Sequence, residues 1–347
     1  MKQRPVIAFT LGDVAGIGPE VAVKAALHPD VREICRPMLV GPTVTVKMVA
    51  ALVNRDIHVH QLVDGSKTPE HPGPTDVYVQ AVPLEGKVHN GQHSAASGRA
   101  AYTSLLWAID KTLAGEIEAI VTAPLNKKSL RAAGVQEPGH TEILARRCDV
   151  REHAMMLYLP PGDPAVGPNG LAVNHVTLHS PISRVPGSLT VAGIEAKIRL
   201  MDTFLKRTGL ARPRIGVAAL NPHGGEEGLF GDEEERVIRP AIEAVYPDEI
   251  LADGPLPVDT LFRRAVTGHE FDGIVAMYHD QGHIPLKLIA FDRAVNVTLG
   301  LPIVRTSPSH GTAYDIAWTG MADPSGMIAA THTAVMLLRS FRAGLIN

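Results

Sequence analysis

A chain of 347 residues exceeds what one ordinary hydrophobic core organises, so two domains, or one large enzyme of two lobes around a cleft, is the expectation. Its 33 Lys and Arg against 36 Asp and Glu give a formal net charge of −3, and its aromatics are only seven Phe, six Tyr and two Trp; with no basic, aromatic-interleaved stretch, neither a nucleic-acid surface nor a base-stacking platform is indicated. Cys35 and Cys148 lack paired spacing, no apolar signal core follows Met1, and no stretch has the uninterrupted apolar length of a membrane span, so a cytoplasmic protein without membrane or nucleic-acid partners is expected.

Along the chain, Pro5–Thr10 reads as a strand and Leu11–Glu20 as a glycine turn, with Pro19 and Glu20 opening a helix to Leu27. Strand, glycine turn and helix start make a natural anion or nucleotide site, although the spelling is neither a dinucleotide fingerprint nor a Walker loop, and a plain βα turn explains it equally well. A second strand at Met38–Pro42 and a helix at Val44–Val53 precede a polar, proline-rich stretch, 64–86, with an edge strand at 77–82. Ser97–Asp110 has helical apolar spacing. The strand opening at Ala119 leads to Thr122, Asn126 and Lys127, although Lys127-Lys128 at a helix start is more often a solvated face. His140 and Thr141 precede a helical run, 143–147, which Thr141 could simply cap.

Strands follow at Met155–Leu159 and Leu171–His179; in the second, a period of two puts His175 and His179 on one face, with His179 at the strand end. After a helix over 188–205, the buried strand Arg214–Leu220 runs into Asn221-Pro-His223-Gly-Gly-Glu226. The acidic run from Asp232 suits a helix N-terminus. Gly254–Thr260 reads as a proline-shaped loop in which Asp259 either caps the next helix or faces a substrate.

The densest stretch comes next: the strand Gly273–Met277, then His279-Asp-Gln-Gly-His283, Lys287, Asn296 and Arg305. Open α/β sheets bind ligands beyond the carboxyl ends of their strands. Neutral imidazoles suit a divalent transition metal, and a lysine with an arginine suits phosphate or carboxylate. A single loop histidine is usually solvated; His179, His223 and His279, each following an apolar strand, are harder to dismiss, though only the fold can bring them together. The same residues would also serve a metallo-hydrolase in which Asp280 or Glu226 activates water, or a non-catalytic metal- or metabolite-binding protein.

With these residues in view, the chain resembles the 4-hydroxythreonine-4-phosphate dehydrogenase family. The resemblance rests on Gly12-Asp-Val-Ala-Gly-Ile-Gly-Pro-Glu20, Gly139-His-Thr-Glu142, Asn221-Pro-His-Gly-Gly-Glu226, Tyr278-His-Asp-Gln-Gly282, Asn296-Val-Thr-Leu-Gly-Leu-Pro302, Arg305-Thr306 and His310-Gly-Thr312, in that order over nearly the whole chain. It implies a divalent metal on His179, His223 and His279 (zinc, or cobalt, nickel, manganese or magnesium), in a site completed across a homodimer interface. It also implies a phosphorylated substrate held by His140, Thr141, Lys287, Asn296 and Arg305. A more distant similarity to isocitrate and isopropylmalate dehydrogenases implies a two-lobed α/β/α fold with the active site in the interlobe cleft. NAD or NADP would then lie against Gly12, Asp13, Gly16 and Gly18 and against His310, Gly311, Thr312 and Asp315.

On that basis residues 1–130 with 297–347 form the cofactor-side lobe, and 131–296 the metal, substrate and dimerisation lobe. Lys287, Asp259 and Lys127 are candidates for proton transfer. The chain departs from the family's usual spelling at Val14, at Gly224 and at His283, where the vitamin-making enzymes are apolar. His283 resembles the branch acting on D-threonate or D-erythronate 4-phosphate, whereas Lys287 and Arg305 argue against the related aromatic-dihydrodiol dehydrogenases. The activity implied is oxidation and decarboxylation of a phosphorylated 3-hydroxy acid.

Overall fold

A computed structural model describes residues 4–54, 56–63 and 66–342. The chain divides into two compact units, one running to Arg151 and resumed over Leu301–Leu338, the other built on Glu152–Gly300.

In the first unit the strands lie in the order His58–Leu62, Asp76–Ala81, Arg36–Gly41, Val6–Thr10, Ala119–Thr122 and Val304–Pro308, every neighbouring pair parallel. Parallel strands covered on both faces need nearly continuous apolar sequence, and Val6, Ala8, Met38, Val40 and Ile120 supply it, packing with Leu105, Ile109, Leu130 and Leu144 from the helices. The helix Ala95–Leu113 starts where the Ser94 side chain accepts from the Ser97 amide, an N-cap satisfying an otherwise orphaned donor. The segment 77–82, expected to be an edge strand, is an inner one over Asp76–Ala81; the true edge is His58–Leu62, whose residues are half-buried or exposed. Thr141 caps nothing: it lies inside the helix His140–Arg147, whose N-cap is Gly139.

The second unit orders its strands Val295–Leu299, Ala154–Leu159, Leu171–His175, Gly273–Ala276, Arg214–Ala218 and Leu251–Leu256. Ala154–Leu159 runs antiparallel to both neighbours, and the other pairs are parallel. Several sequence expectations change here. The strand 171–179 stops at His175, so a period of two cannot place His179. The helix 188–205 is two, Val185–Ser188 and Val191–Arg207, the second capped by Thr190 accepting from Gly193 N. Leu251–Leu256 is an outer strand rather than a loop, a position where Pro255 removes no needed ladder donor. The acidic run does stand at a helix start, as expected, with Glu234 and Glu235 in the first turn of a π-helical segment, Glu234–Ile238. His279 opens a helix, His279–Ala290. No helix among the described residues is long and apolar enough to cross a membrane.

One buried carboxylate clamps this sheet. Asp272 accepts from Arg214 N at 2.8 Å, Arg214 Nη2 at 3.0 Å and Asn169 Nδ2 at 2.8 Å. Burial pushes its pKa up, but Arg214, Asn169 and the Arg214 amide together hold it below the usual carboxylate range. A depressed folded-state pKa adds stability that is fully present above about pH 4, the unfolded value, and is lost as pH falls through the lower folded value. Asp272→Ala is therefore expected to cost about 2 kcal/mol at neutral pH, less than for a fully buried pair because Arg214 is half exposed and can rehydrate. The gap from wild type should narrow in urea melts below about pH 4.

Candidate active site

In the second unit, His179, His223 and His279 leave the carboxyl ends of three adjacent parallel strands, with the His279 strand in the middle. Side chains stitch those ends together. Gln281, buried, accepts from Met277 N at 2.6 Å and donates to the Ala219 carbonyl at 2.7 Å, while the Thr177 hydroxyl donates to the Met277 carbonyl at 2.8 Å. Glu234 Oε1 accepts from the Leu220 and Asn221 amides, both at 2.8 Å, bracing the loop of His223. That loop runs left-handed from His223 (φ 52°) through Glu227 (φ 56°), a conformation non-glycine residues hold only under surrounding constraint.

The imidazoles group unequally. The rings of His179 and His279 have centroids 6.0 Å apart, compatible with two nitrogens each roughly 2 Å from a common ion. His279 Nδ1 pairs with the Asp280 carboxylate at 2.7 Å, leaving Nε2 for a ligand, as metal-bound histidines are typically arranged. His223 instead neighbours Phe230, centroids 6.4 Å apart. Among the described residues no three His, Cys, Asp or Glu side chains are gathered as a metal cage. The donor chemistry of His179 and His279 thus fits a divalent ion, and the third position is not assembled within one chain.

Behind His279 lies a pair the sequence scarcely announced. His283 stacks on His279 at 3.7 Å and 10°, and its Nδ1 is 3.1 Å from His175 Nε2. Burial, then the His283 and His279 rings, drives the His175 pKa down to about 3; burial, then His279 and Lys287, takes His283 to about 4. Lys287 is half-buried, its Nζ 5.6 Å from the Phe291 ring centroid. Asn296, on Val295–Leu299, keeps a buried Oδ1 with no partner, the signature of an acceptor awaiting a ligand. Asp259 is exposed and accepts from its neighbour, Thr260 N, at 2.9 Å.

In the first unit the early glycine turn and the late His310 loop form one structure. Gly12 has φ +63°, and a Cβ there would lie 2.1 Å from the Pro124 carbonyl oxygen, so no other residue fits. Ile17 N donates to Thr312 O at 3.0 Å and Trp318 Nε1 to Val14 O at 3.1 Å. Asp13 is fully buried: Oδ1 accepts from Ala15 N at 2.9 Å, and Oδ2 from Ser129 Oγ at 2.6 Å and Tyr314 Oη at 2.8 Å. It braces the loop through Ser129 and Tyr314, neither of which the sequence singled out. Gly16 approaches Thr312 too closely for a side chain, and Gly18 opens the helix Gly18–Leu27. His310 keeps a buried Nε2 without a partner, beside exposed Gly311 and Asp315. That orphan nitrogen, on a ring whose Nδ1 lies 3.1 Å from the Gly311 carbonyl oxygen, fits a ligand such as a dinucleotide.

Arg305, only 2% exposed, donates to Thr122 Oγ1 from Nη2 at 2.6 Å and Nε at 3.2 Å. Burial brings its pKa down to about 9 against the pull of Glu142. His140 is driven well below its usual value by burial and then by the charge of Arg305, so a neutral imidazole and a cation stand together, with Thr141 beside them on the same helix. Lys127 is exposed at the first turn of Lys127–Ala132, which Asn126 caps.

Residues 33–334 match the family described as "Pyridoxal phosphate biosynthetic protein PdxA". The chain is 43% identical to 4-hydroxythreonine-4-phosphate dehydrogenase of Desulfosudis oleivorans, covering 96% of each chain. It is 41% identical to D-threonate 4-phosphate dehydrogenase of Salmonella typhimurium, covering 95% of this chain and 98% of that one. The crystal structure of 4-hydroxythreonine-4-phosphate dehydrogenase from Klebsiella pneumoniae superposes with a TM-score of 0.83 at 38% identity, over 96% of this chain and 98% of that one. Isocitrate dehydrogenase from Methylococcus capsulatus, 18% identical over 98% of this chain and 86% of that one, with a TM-score of 0.50, shares the α/β fold. Matched over nearly its whole length, the chain belongs to the PdxA family and is an oxidoreductase acting on CH–OH groups.

Proposed function

We propose that the chain is an NAD(P)-dependent, divalent-metal-assisted dehydrogenase that converts D-threonate or D-erythronate 4-phosphate to dihydroxyacetone phosphate and CO2. The observation carrying this choice of substrate is His283, a buried hydrogen-bonding ring against His279 at a position where the vitamin-making branch is apolar. The 43% identity to a 4-hydroxythreonine-4-phosphate dehydrogenase favours a second reading, oxidation of that amino acid phosphate. Family membership argues against the metallo-hydrolase.

When bound, a divalent ion supplies Lewis acidity at the substrate oxygens and a nicotinamide accepts the hydride. The chain's own groups do the rest. His279, turned by Asp280, and His179 offer imidazole nitrogens to the ion, with His223 as third donor. His140, Thr141 and Arg305 recognise phosphate, the guanidinium with charge-assisted bonds. Asn296 Oδ1 accepts from a substrate hydroxyl. Oxidation at C3 releases one hydride and one proton; loss of C1 as CO2 then leaves C2 to be protonated. Lys287, more enclosed than Asp259 or Lys127, is the favoured proton carrier.

The unfinished metal set and an exposed apolar stripe on the same helix support a homodimer with a shared active site. Ile284, Leu288 and Phe291 are 54%, 83% and 57% exposed at helical spacing, and such a stripe suits a second copy of the chain. Turnover of the three phosphorylated acids side by side, with NAD and NADP and with and without chelator, tests the proposal. Chelator-sensitive reduced nicotinamide should form fastest with a C2-hydroxy acid; preference for the C2-amino acid would establish the second reading, and phosphate release without nicotinamide reduction would refute both.

A further inference from the structure

His175 has no role in the proposed chemistry, yet it is 1% exposed, and a Cβ on Gly282 would lie 2.4 Å from its Nε2. The helix gives up a side chain at 282 to admit the ring. What the ring touches is His283, 7% exposed, whose Nδ1 lies 3.1 Å from His175 Nε2 and 3.2 Å from the His279 carbonyl oxygen.

The proton positions follow from those contacts. The His279 carbonyl lies near both rings, but only His283 Nδ1 meets it in hydrogen-bond geometry, at 3.2 Å; a carbonyl only accepts, which places the proton on His283 Nδ1, and the same N–H points at His175 Nε2. That nitrogen therefore accepts. In a neutral ring the His175 proton then sits on Nδ1, which is buried without a hydrogen-bond partner. His283 is left with a bare lone pair on Nε2, within electrostatic reach of His279, Lys287 and His179.

We propose that His175 is a positioning residue: with the His279 carbonyl holding the proton on His283 Nδ1, His175 accepts from the same N–H and so holds that ring in its stack on His279. The remaining lone pair of His283, on Nε2, then receives a hydroxyl or ammonium hydrogen and repels anionic oxygen, which assigns it to the donor-bearing end of a substrate. The consequence for metal affinity rests on reading His279 as a ligand; the tautomer does not.

Full-length protein with 15N-labelled histidine separates the two. At neutral pH His283, assigned by loss of its signals in His283→Gln, should show the proton on Nδ1 in wild type, in His175→Gln, which offers an acceptor where Nε2 was, and in His175→Leu, where the His279 carbonyl still accepts. Co2+ affinity, followed by its visible absorption, should fall about tenfold in His175→Leu, as for other groups that orient metal ligands, and recover in His175→Gln. A wild-type His283 protonated on Nε2, or Leu and Gln variants alike in Co2+ affinity, would overturn the proposal. An Nδ1–H ring in wild-type protein that binds no Co2+ would uphold the pair and refute the metal reading.

Discussion

His279→Ala should lower kcat by about a thousandfold with the phosphorylated acid while leaving the fold intact. Lewis-acid help at the reacting oxygens is worth several kcal/mol, and each 1.36 kcal/mol is about a factor of ten in rate. His279 stands on the central one of three neighbouring strand ends, its Nδ1 taken by Asp280 and its ring backed by His283, so removing it deprives any ion of its best-oriented donor. Its side chain is partly exposed, and truncation at such a place should cost under about 1 kcal/mol of stability. Added Co2+ should fail to restore activity and should give no wild-type absorption band. If His279→Ala keeps within about tenfold of wild-type turnover in metal-free buffer, the ion is not part of the reaction.

Much of the sheet can be read from apolar runs. Val6–Thr10, Ala119–Thr122 and Gly273–Ala276 are wholly buried, so their composition is dictated by both faces. His58–Leu62 escaped because a strand at the edge, half in solvent, has neither an apolar run nor an alternation to show. Leu251–Leu256 escaped for the opposite reason, its Gly254-Pro255 spelling a turn where an outer strand tolerates it. The motif histidines were legible as residue types following strands; their grouping was not. His175 meets His283 across 108 positions, and nothing in either neighbourhood encodes that contact except Gly282, whose missing side chain makes room. Asp13 carries a role its motif did not spell out: its oxygens accept from Ala15, Ser129 and Tyr314, so the residue also shapes the loop.

Arg305→Met should separate recognition from stability by moving them in different directions. The guanidinium is buried and held on Thr122, and its pKa is down to about 9 even with Glu142 attracting it. Keeping that charge desolvated opposes folding, and an unbranched apolar chain of similar length removes the cost; exposed Glu142 returns to water without penalty. Replacing a buried ion by apolar volume is often neutral or stabilising by about 1 kcal/mol or more, so the melting temperature of the ligand-free variant should hold or rise. Binding should suffer instead. Truncating one partner of a buried charged contact costs about 2–5 kcal/mol, which at 1.4 kcal/mol per decade is at least about a thirtyfold rise in KM for the phosphorylated acid. The corresponding unphosphorylated acid, a poor substrate for both proteins, should lose almost nothing, because the missing contact is one it never made. Arg305→Lys should recover only part of the affinity, since a point charge cannot reproduce a two-pronged grip on phosphate. Should Arg305→Met melt several degrees lower with KM unmoved, the guanidinium is a pin between Thr122 and its surroundings, and phosphate recognition lies elsewhere.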